Sequence, residues 1–500
     1  MVGHRWLLAS HRAGRGAARS ALALPPVLAV VDADRRLRGP YTAVGALLRA
    51  IVPDALATVP ELVIRHNVEI LATTPELRRT VPATRDTLTS LAVPEERTRF
   101  YSRLRTLRIT HGLIEFLVDY LRVADRGVRT LVVDNAHEAD PTDREFVAVL
   151  LRRMDSALLT VVVTTGTEPL VDPPGPIAVP LAPALMRYCE RIDAGDPHTP
   201  AYTSGLAQAY VDSDGTCDDA ADVEAYQRLS AEVRARLRDD RAAVLTARDE
   251  PSLLIGAVPY HREHGSDPAA GPRALHHAQD WCMDHGYYHA VVDLGLRGLA
   301  LTDEDTDVDE WWAFTTRMTT ALAALGRPDE ALALYDEVRT RTTAAGVHMQ
   351  AAYATAMLYT RQFEGDRRDH QRARAWINQA VGIASILPDA KQRAFNTAFN
   401  RNGLALIEFH QGKPDAALSL LDECIADLAK ALAPGEQVLH RSVLRYNRAQ
   451  VYAALGRLAD AVEDYSAVIE QDPNYAEYYF DRAAIYRRLG RHAEARADYD

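Results

Sequence analysis

The stretch AQVYAALGRLADAVEDY, residues 449–465, returns 34 residues later as AAIYRRLGRHAEARADY, residues 483–499. Ala449, Tyr452, Gly456, Ala461 and Tyr465 recur as Ala483, Tyr486, Gly490, Ala495 and Tyr499, with Asp472-Pro473 between the copies. Five coincidences at one period predict a repeating pair of helices. Small residues let the two helices approach, and a large aromatic fills the gap beside them. Glycine ends the first helix and proline ends the second. Looser copies precede these: Leu325–Ala331 with Tyr335, and Gly412–Ala417 with Leu421. Gly286 with Val291, and Ala373 with Ile377 and Ala380, are weaker. Their wider spacing predicts loops or longer helices. About six helical pairs are expected between 252 and 500, stacked on a continuous core with a concave face. Asp500 falls inside the expected second helix of the last pair, which predicts an array truncated at its C-terminus.

This pattern resembles the tetratricopeptide repeat. The resemblance implies an α-solenoid that binds a protein or peptide, with ligand-facing residues mostly on the first helix of each pair. On the last two repeats these are Tyr446, Gln450, Phe480, Arg487 and Arg488. Some family members clamp a carboxylate tail with Lys and Asn at matching places. Tyr446, Phe480 and Ala484 depart from that, so a carboxylate-tail ligand is not expected. The competing reading is that these aromatics pack between repeats.

The first half reads differently. Val27–Asp32 (VLAVVD) predicts a buried strand, and Ala43–Ile51 a helix. A long helix is expected from Glu95 to Arg122, its stripe being Phe100, Leu104, Leu107, Leu113, Phe116, Leu117 and Tyr120, with Gly112 a weak point. Arginines interleaved with Phe100 and Tyr101 suit nucleic acid, but a solvated helix face explains them as well. Thr130–Asp134 (TLVVD) predicts a second strand, and Asp140-Pro141 a helix start. Leu158–Thr164 (LLTVVVT) predicts a third. Strand, crossover helix, strand implies a parallel sheet. Ligands in such sheets sit at the carboxyl ends of strands, where Asp134, Asn135, Thr164 and Thr165 stand. Residues 166–220 read as an irregular connector, and 221–247 as helical.

LVVDNAHEADPTD, residues 131–143, resembles the Walker B segment of the STAND NTPases, the signal-transduction ATPases of large regulators. Val163-Thr164-Thr165 resembles their sensor-1 strand end, and Val179–Pro183 the segment after it. Residues 234–247 and 256–268, followed by helical pairs, resemble the passage from their helical arm into the repeats. The resemblance implies a P-loop NTPase-like α/β domain over 1–185, a connector and helical arm over 186–250, and a solenoid over 251–500.

The departures bear on function. Of 57 Lys+Arg only Lys391, Lys413 and Lys430 are lysines, so the first 390 residues exclude any lysine-dependent chemistry. No GxxxxGK[ST] is present, and Gly14-Arg15-Gly16 lacks its spacing. In the family a strand like Val27–Asp32 follows the P-loop by some twenty residues; this stretch has barely that many before it. The expectation is a P-loop strand that is lost or lies upstream. Asp134 matches the metal-orienting acid, and Asn135 stands where a second acid polarises water. An amide cannot take that proton. The sequence therefore predicts a degenerate α/β domain with no catalytic residues, no metal and no cofactor, ATP and Mg entering only with an upstream P-loop. The leading function is a non-enzymatic scaffold or regulator. The alternative is an ATP-dependent STAND regulator whose P-loop and output domain lie outside these 500 residues.

Charge is uneven. Residues 1–130 hold 20 arginines against 12 acids, and the remainder 37 basic residues against 57 acidic. Four scattered cysteines without CxxC predict a reducing compartment. No apolar run is long enough for a membrane span. Arginines before Ala21–Val31 suggest a signal peptide, but Pro25-Pro26, Asp32 and Asp34 oppose it, so a cytoplasmic protein is expected. His261, His264, His276, His277, Asp280, Cys282 and His285 crowd one region, but HExxH is absent and solvated or packed histidines are the simpler expectation. No GxSxG supports a hydrolase.

Overall fold

The computed structural model describes residues 3–82, 86–92, 101–124, 127–174, 179–194, 206–302 and 308–499. The chain forms two compact units, Met1–Thr84 with Tyr101–Leu325, and Arg85–Phe100 with Gly326–Asp500.

The first unit is built on a parallel sheet. Its strands are β1 (His4–Leu8), β2 (Val27–Asp32), β3 (Arg129–Asp134), β4 (Leu159–Thr165) and β5 (Cys189–Asp193), in the order β2-β3-β4-β1-β5. Every strand pairing is parallel. Helix α1 (Arg12–Ser20) leaves β1, and α2 (Thr42–Thr58) follows β2. Helix α3 (Arg105–Ala124) precedes β3, and α4 (Pro141–Arg153) crosses from β3 to β4. Helix α5 (Leu181–Tyr188) leads into β5, and α6 (Ala231–Thr246) lies beyond it in sequence. All of β4 is buried, as an inner strand of a parallel sheet requires. The Asp140 carboxylate caps α4, accepting from the Thr142 amide at 2.9 Å, and Pro141 takes the first helical position.

Three expectations are corrected. A strand does precede Val27: β1 sits near the middle of the sheet, followed by α1. Its first residue looks polar but is buried. His4 Nε2 donates to Met154 O at 3.2 Å, and Nδ1 accepts from the Val161 amide at 3.1 Å. Burial lowers its pKa. Secondly, the region read as a connector supplies α5 and β5. Thirdly, the expected long helix starts at Arg105; Glu95 to Phe100 lie outside the described residues. Leu113, Phe116, Leu117 and Tyr120 of α3 are buried, whereas Leu104 is exposed. Gly112 gives room to the Glu69 side chain, which a Cβ there would strike.

Twelve helices close the described chain. In the first unit these are α7 (Ala270–His285), α8 (Tyr288–Leu299) and α9 (Val308–Ala324). The second unit holds α10 (Pro328–Arg341), α11 (Ala345–Met357), α12 (His370–Ser385), α13 (Ala390–His410), α14 (Pro414–Ala431), α15 (Val438–Ala454), α16 (Leu458–Gln471), α17 (Ala476–Arg488) and α18 (His492–Tyr499). Helices α7–α8, α11–α12, α13–α14, α15–α16 and α17–α18 pack as hairpins.

Four of these hairpins turn through one device. A glycine takes positive φ (Gly286 77°, Gly412 74°, Gly456 77°, Gly490 74°). The next amide then reaches back five residues: Tyr287 to Cys282 O, Lys413 to Glu408 O, Arg457 to Tyr452 O and Arg491 to Tyr486 O, all within 2.9–3.0 Å. This is a Schellman closure, and it satisfies carbonyls the helix end leaves free. The π-helical turn Leu358–Gln362 after α11 interrupts the period. Ala449, Tyr452, Ala461 and Tyr465 form one core cluster, and Ala483, Tyr486 and Ala495 the next. The short helix Leu88–Leu91 also belongs to this unit, packed against α15.

Candidate functional site

The strand order creates a crevice. From β1 the chain leaves toward β2 at one edge, and from β4, its neighbour, toward β5 at the other. Such a divergence opens a gap at the carboxyl ends of both strands. The structure brings Asp134, Asn135 and Thr164 together there. Asp134 Oδ1 accepts from the Asn135 amide at 3.0 Å and from the Thr164 hydroxyl. Asn135 adopts φ 56°, a left-handed conformation asparagine tolerates. Its Nδ2 donates to Asp32 Oδ1 at 2.9 Å. Thr165 is used differently: its hydroxyl accepts from the Trp6 indole at 2.9 Å.

Sequence reasoning missed the residue at the centre. Arg15 on α1 is 2% exposed. Its Nη2 donates to Asn135 Oδ1 at 2.6 Å, its Nε to Asp134 Oδ1 at 3.3 Å and its Nη1 to Ala9 O at 3.1 Å. Asp218 approaches the same guanidinium at 3.5 Å and accepts from the Arg12 amide at 2.7 Å. The Arg12 guanidinium pairs with Asp32 at 2.7 Å. A carboxylate of the chain thus sits at the N-terminus of α1, where exposed N–H groups and the helix dipole attract anions. Burial, and then the charge of Arg15, hold the nearby His137 below its ordinary pKa.

This arrangement does not fit a nucleotide. Only Ala9, Ser10 and His11 join β1 to α1, with no glycine among them. Asp218 occupies the helix end a phosphate would use, and Arg15 neutralises the acid that would orient a metal. Arg12, Arg15, Asp32, Asp134 and Asp218 already have internal partners, so an incoming polyphosphate gains little and breaks several pairs.

The histidine-rich region disperses. His261 is buried and bonds Asp214 Oδ1 at 3.1 Å, His264 bonds Tyr260 O at 2.8 Å, and His285 stacks on Trp281 at 3.7 Å between ring centroids. Cys282 is buried in α7. Among the described residues no group of three or more His, Cys, Asp or Glu converges on a metal position.

The repeat residues separate into two kinds. Tyr446 packs against Tyr465 and Tyr478, and its hydroxyl donates to Asp481 at 2.6 Å. It joins adjacent repeats. Phe480 is 54% exposed and touches Tyr499, Gln450 is half-buried, and Arg487 and Arg488 are exposed. A further periodic feature went unread. Arg448 makes a bidentate pair with Asp464 at 2.7 and 2.8 Å, and Arg482 repeats it with Asp498 at 2.9 and 2.7 Å. Both partners recur at the 34-residue period, so the spacing itself held the signal.

Residues 317–387 match the family described as Tetratricopeptide repeat, and residues 449–490 the family described as TPR repeat. These two stretches are tetratricopeptide repeats. Among solved structures the chain is similar to a Signal Transduction ATPase with Numerous Domains (STAND) protein with a tetratricopeptide repeat sensor from Pyrococcus horikoshii. That similarity has 11% identity, covers 99% of this chain and 83% of that one, and has a TM-score of 0.30. It is also similar to a chain of the APC/C hetero-tetramer Cut9–Hcn1, at 11% identity, 93% and 88% coverage, and a TM-score of 0.30. No curated protein matches the chain. No helix among the described residues is long and apolar enough to cross a membrane.

Proposed function

We propose that this chain is a non-enzymatic scaffold or regulator that binds a protein or peptide through its repeat array. The observation that carries this reading is the pair of tetratricopeptide stretches, 317–387 and 449–490. Stacked helical pairs offer an extended surface for a partner segment. On this reading the exposed Phe480, Arg487 and Arg488 of the last repeat supply an aromatic anchor and, two turns further along the same helix, two cations. The paired state of Arg15 supports a structural role for the α/β unit: Asp134, Asn135 and Thr164 hold one another and the helix α1.

Selection of random displayed peptides on the purified chain tests the reading. A recurrent sequence should enrich, and its binding should fall at least tenfold in the triple variant Phe480→Ala, Arg487→Ala, Arg488→Ala. No enrichment, or binding indifferent to all three changes, overturns it. Mg-ATP should leave the melting temperature unchanged. A clear upward shift would favour the ATP-dependent STAND regulator instead, since only a ligand of the folded state stabilises it.

A further inference from the structure

A cavity of about 150 Å³ lies in the first unit, lined by residues of α4, of the turn between α7 and α8, and of the start of α3. A cavity of that size takes up a molecule as large as benzene. Leu104, Pro141, Tyr287 and Tyr288 contribute walls, and Glu145 and Arg103 contribute charge. Both tyrosine hydroxyls are already engaged, Tyr287 with Ala72 O and Tyr288 with Tyr101 O. What they offer a ligand is ring surface.

Glu145, on the second turn of α4, is 7% exposed. The Thr106 side chain hydrogen-bonds it, and no basic side chain pairs with it among the described residues. Burial raises its pKa, as for any carboxyl kept from water without a counter-charge. Arg103 is exposed and makes no hydrogen bond or ion pair among the described residues. A buried carboxylate without a cation is a costly arrangement that an incoming ammonium relieves. A free guanidinium is suited to a planar carboxylate. Both charges therefore lack the opposite sign, and they border one small aromatic-walled space.

We propose that this cavity binds a small zwitterion of the amino-acid class, its ammonium on Glu145, its carboxylate on Arg103 and its side chain against Tyr287 and Tyr288. The site is separate from the crevice around Arg15 and from the repeat surface around Phe480. Ligand there ties α4, the helix that follows Asp134, to the first helical hairpin.

The test uses the full chain with glycine, L-threonine, L-leucine and L-phenylalanine, one at a time, by melting temperature and calorimetry. Methylamine and acetate serve as half-ligands. At least one amino acid should bind saturably and raise the melting temperature, while neither half-ligand does so at equal concentration. Glu145→Gln should abolish binding, and Arg103→Ala should weaken it about tenfold or more. Should Glu145→Gln fail to fold, Arg103→Ala on an exposed residue still decides the matter. The proposal falls if no amino acid binds, if binding survives either substitution unchanged, or if methylamine binds as well as the amino acid.

Discussion

The carboxyl end of the sheet and the last two repeats use the same residue types in opposite ways. At the sheet, Arg12 and Arg15 meet Asp32, Asp134 and Asp218, partners as far as 206 residues away. In the repeats, Arg448 and Arg482 find their buried acids 16 residues away, inside their own repeat, and reach Asp422 and Ser466 of the preceding one. The first scheme pairs these charges with one another where a ligand would enter. The second closes each hairpin, ties it to the one before, and leaves Phe480, Arg487 and Arg488 exposed. On the proposed reading ligand capacity follows from what remains unpaired, which favours the array over the crevice.

Breaking the first scheme should cost most. Arg15→Ala leaves Asp134 Oδ1 and Asn135 Oδ1 without their buried partner. Asp134 is partly exposed and keeps two other donors, so the loss of these charge-assisted bonds should cost about 3 kcal/mol, read as a lower denaturant midpoint for the first unit. Breaking the second should cost less. Arg448→Ala strands Asp464, whose side chain is 8% exposed, and hydrogen bonds to a charged group contribute about 1.5–3 kcal/mol. Chemical denaturation of the second unit measures it.

Acid should separate the two regions as well. His440 in α15 is fully buried against the rings of Phe395 and Phe399, at 5.2 and 5.4 Å. Burial drives its pKa down to about 3. The unfolded chain, near 6.5, takes the proton first. The protonation of His440 therefore adds no pH-dependent cost above about pH 6.5 and destabilises the array as pH falls from there toward 3, by about 2 kcal/mol at pH 5. His440→Leu should flatten that slope in urea titrations at pH 7 and pH 5. The smallest effect belongs to Arg487→Ala with Arg488→Ala, which should change stability by no more than about 0.5 kcal/mol; a larger loss would mean these arginines hold the fold rather than face a ligand.

The repeats were legible because helix contact demands small residues at fixed positions, and Ala449, Ala461, Ala483 and Ala495 mark them. The pair β3 and β4 was legible because strands covered on both faces read as apolar runs. β1 and β5 were not. HRWLL begins with a histidine whose polar atoms are satisfied by distant backbone, and CERID is an edge strand with exposed charges. Arg15 left no local trace, since its side-chain partners lie 119 to 203 residues away. For Tyr446 the sequence offers two readings, ligand-facing or packed between repeats, because the partner of its hydroxyl, Asp481, lies in the next repeat.

The paired Arg448–Asp464 and Arg482–Asp498 bear on how such an array changes length. Each pair is closed within one 34-residue unit. A duplication or deletion of one whole unit, cut between repeats, copies or removes both charges together. The array can grow or shrink in evolution without stranding a buried acid, whereas the sheet, with its charges matched across two hundred residues, has no such seam.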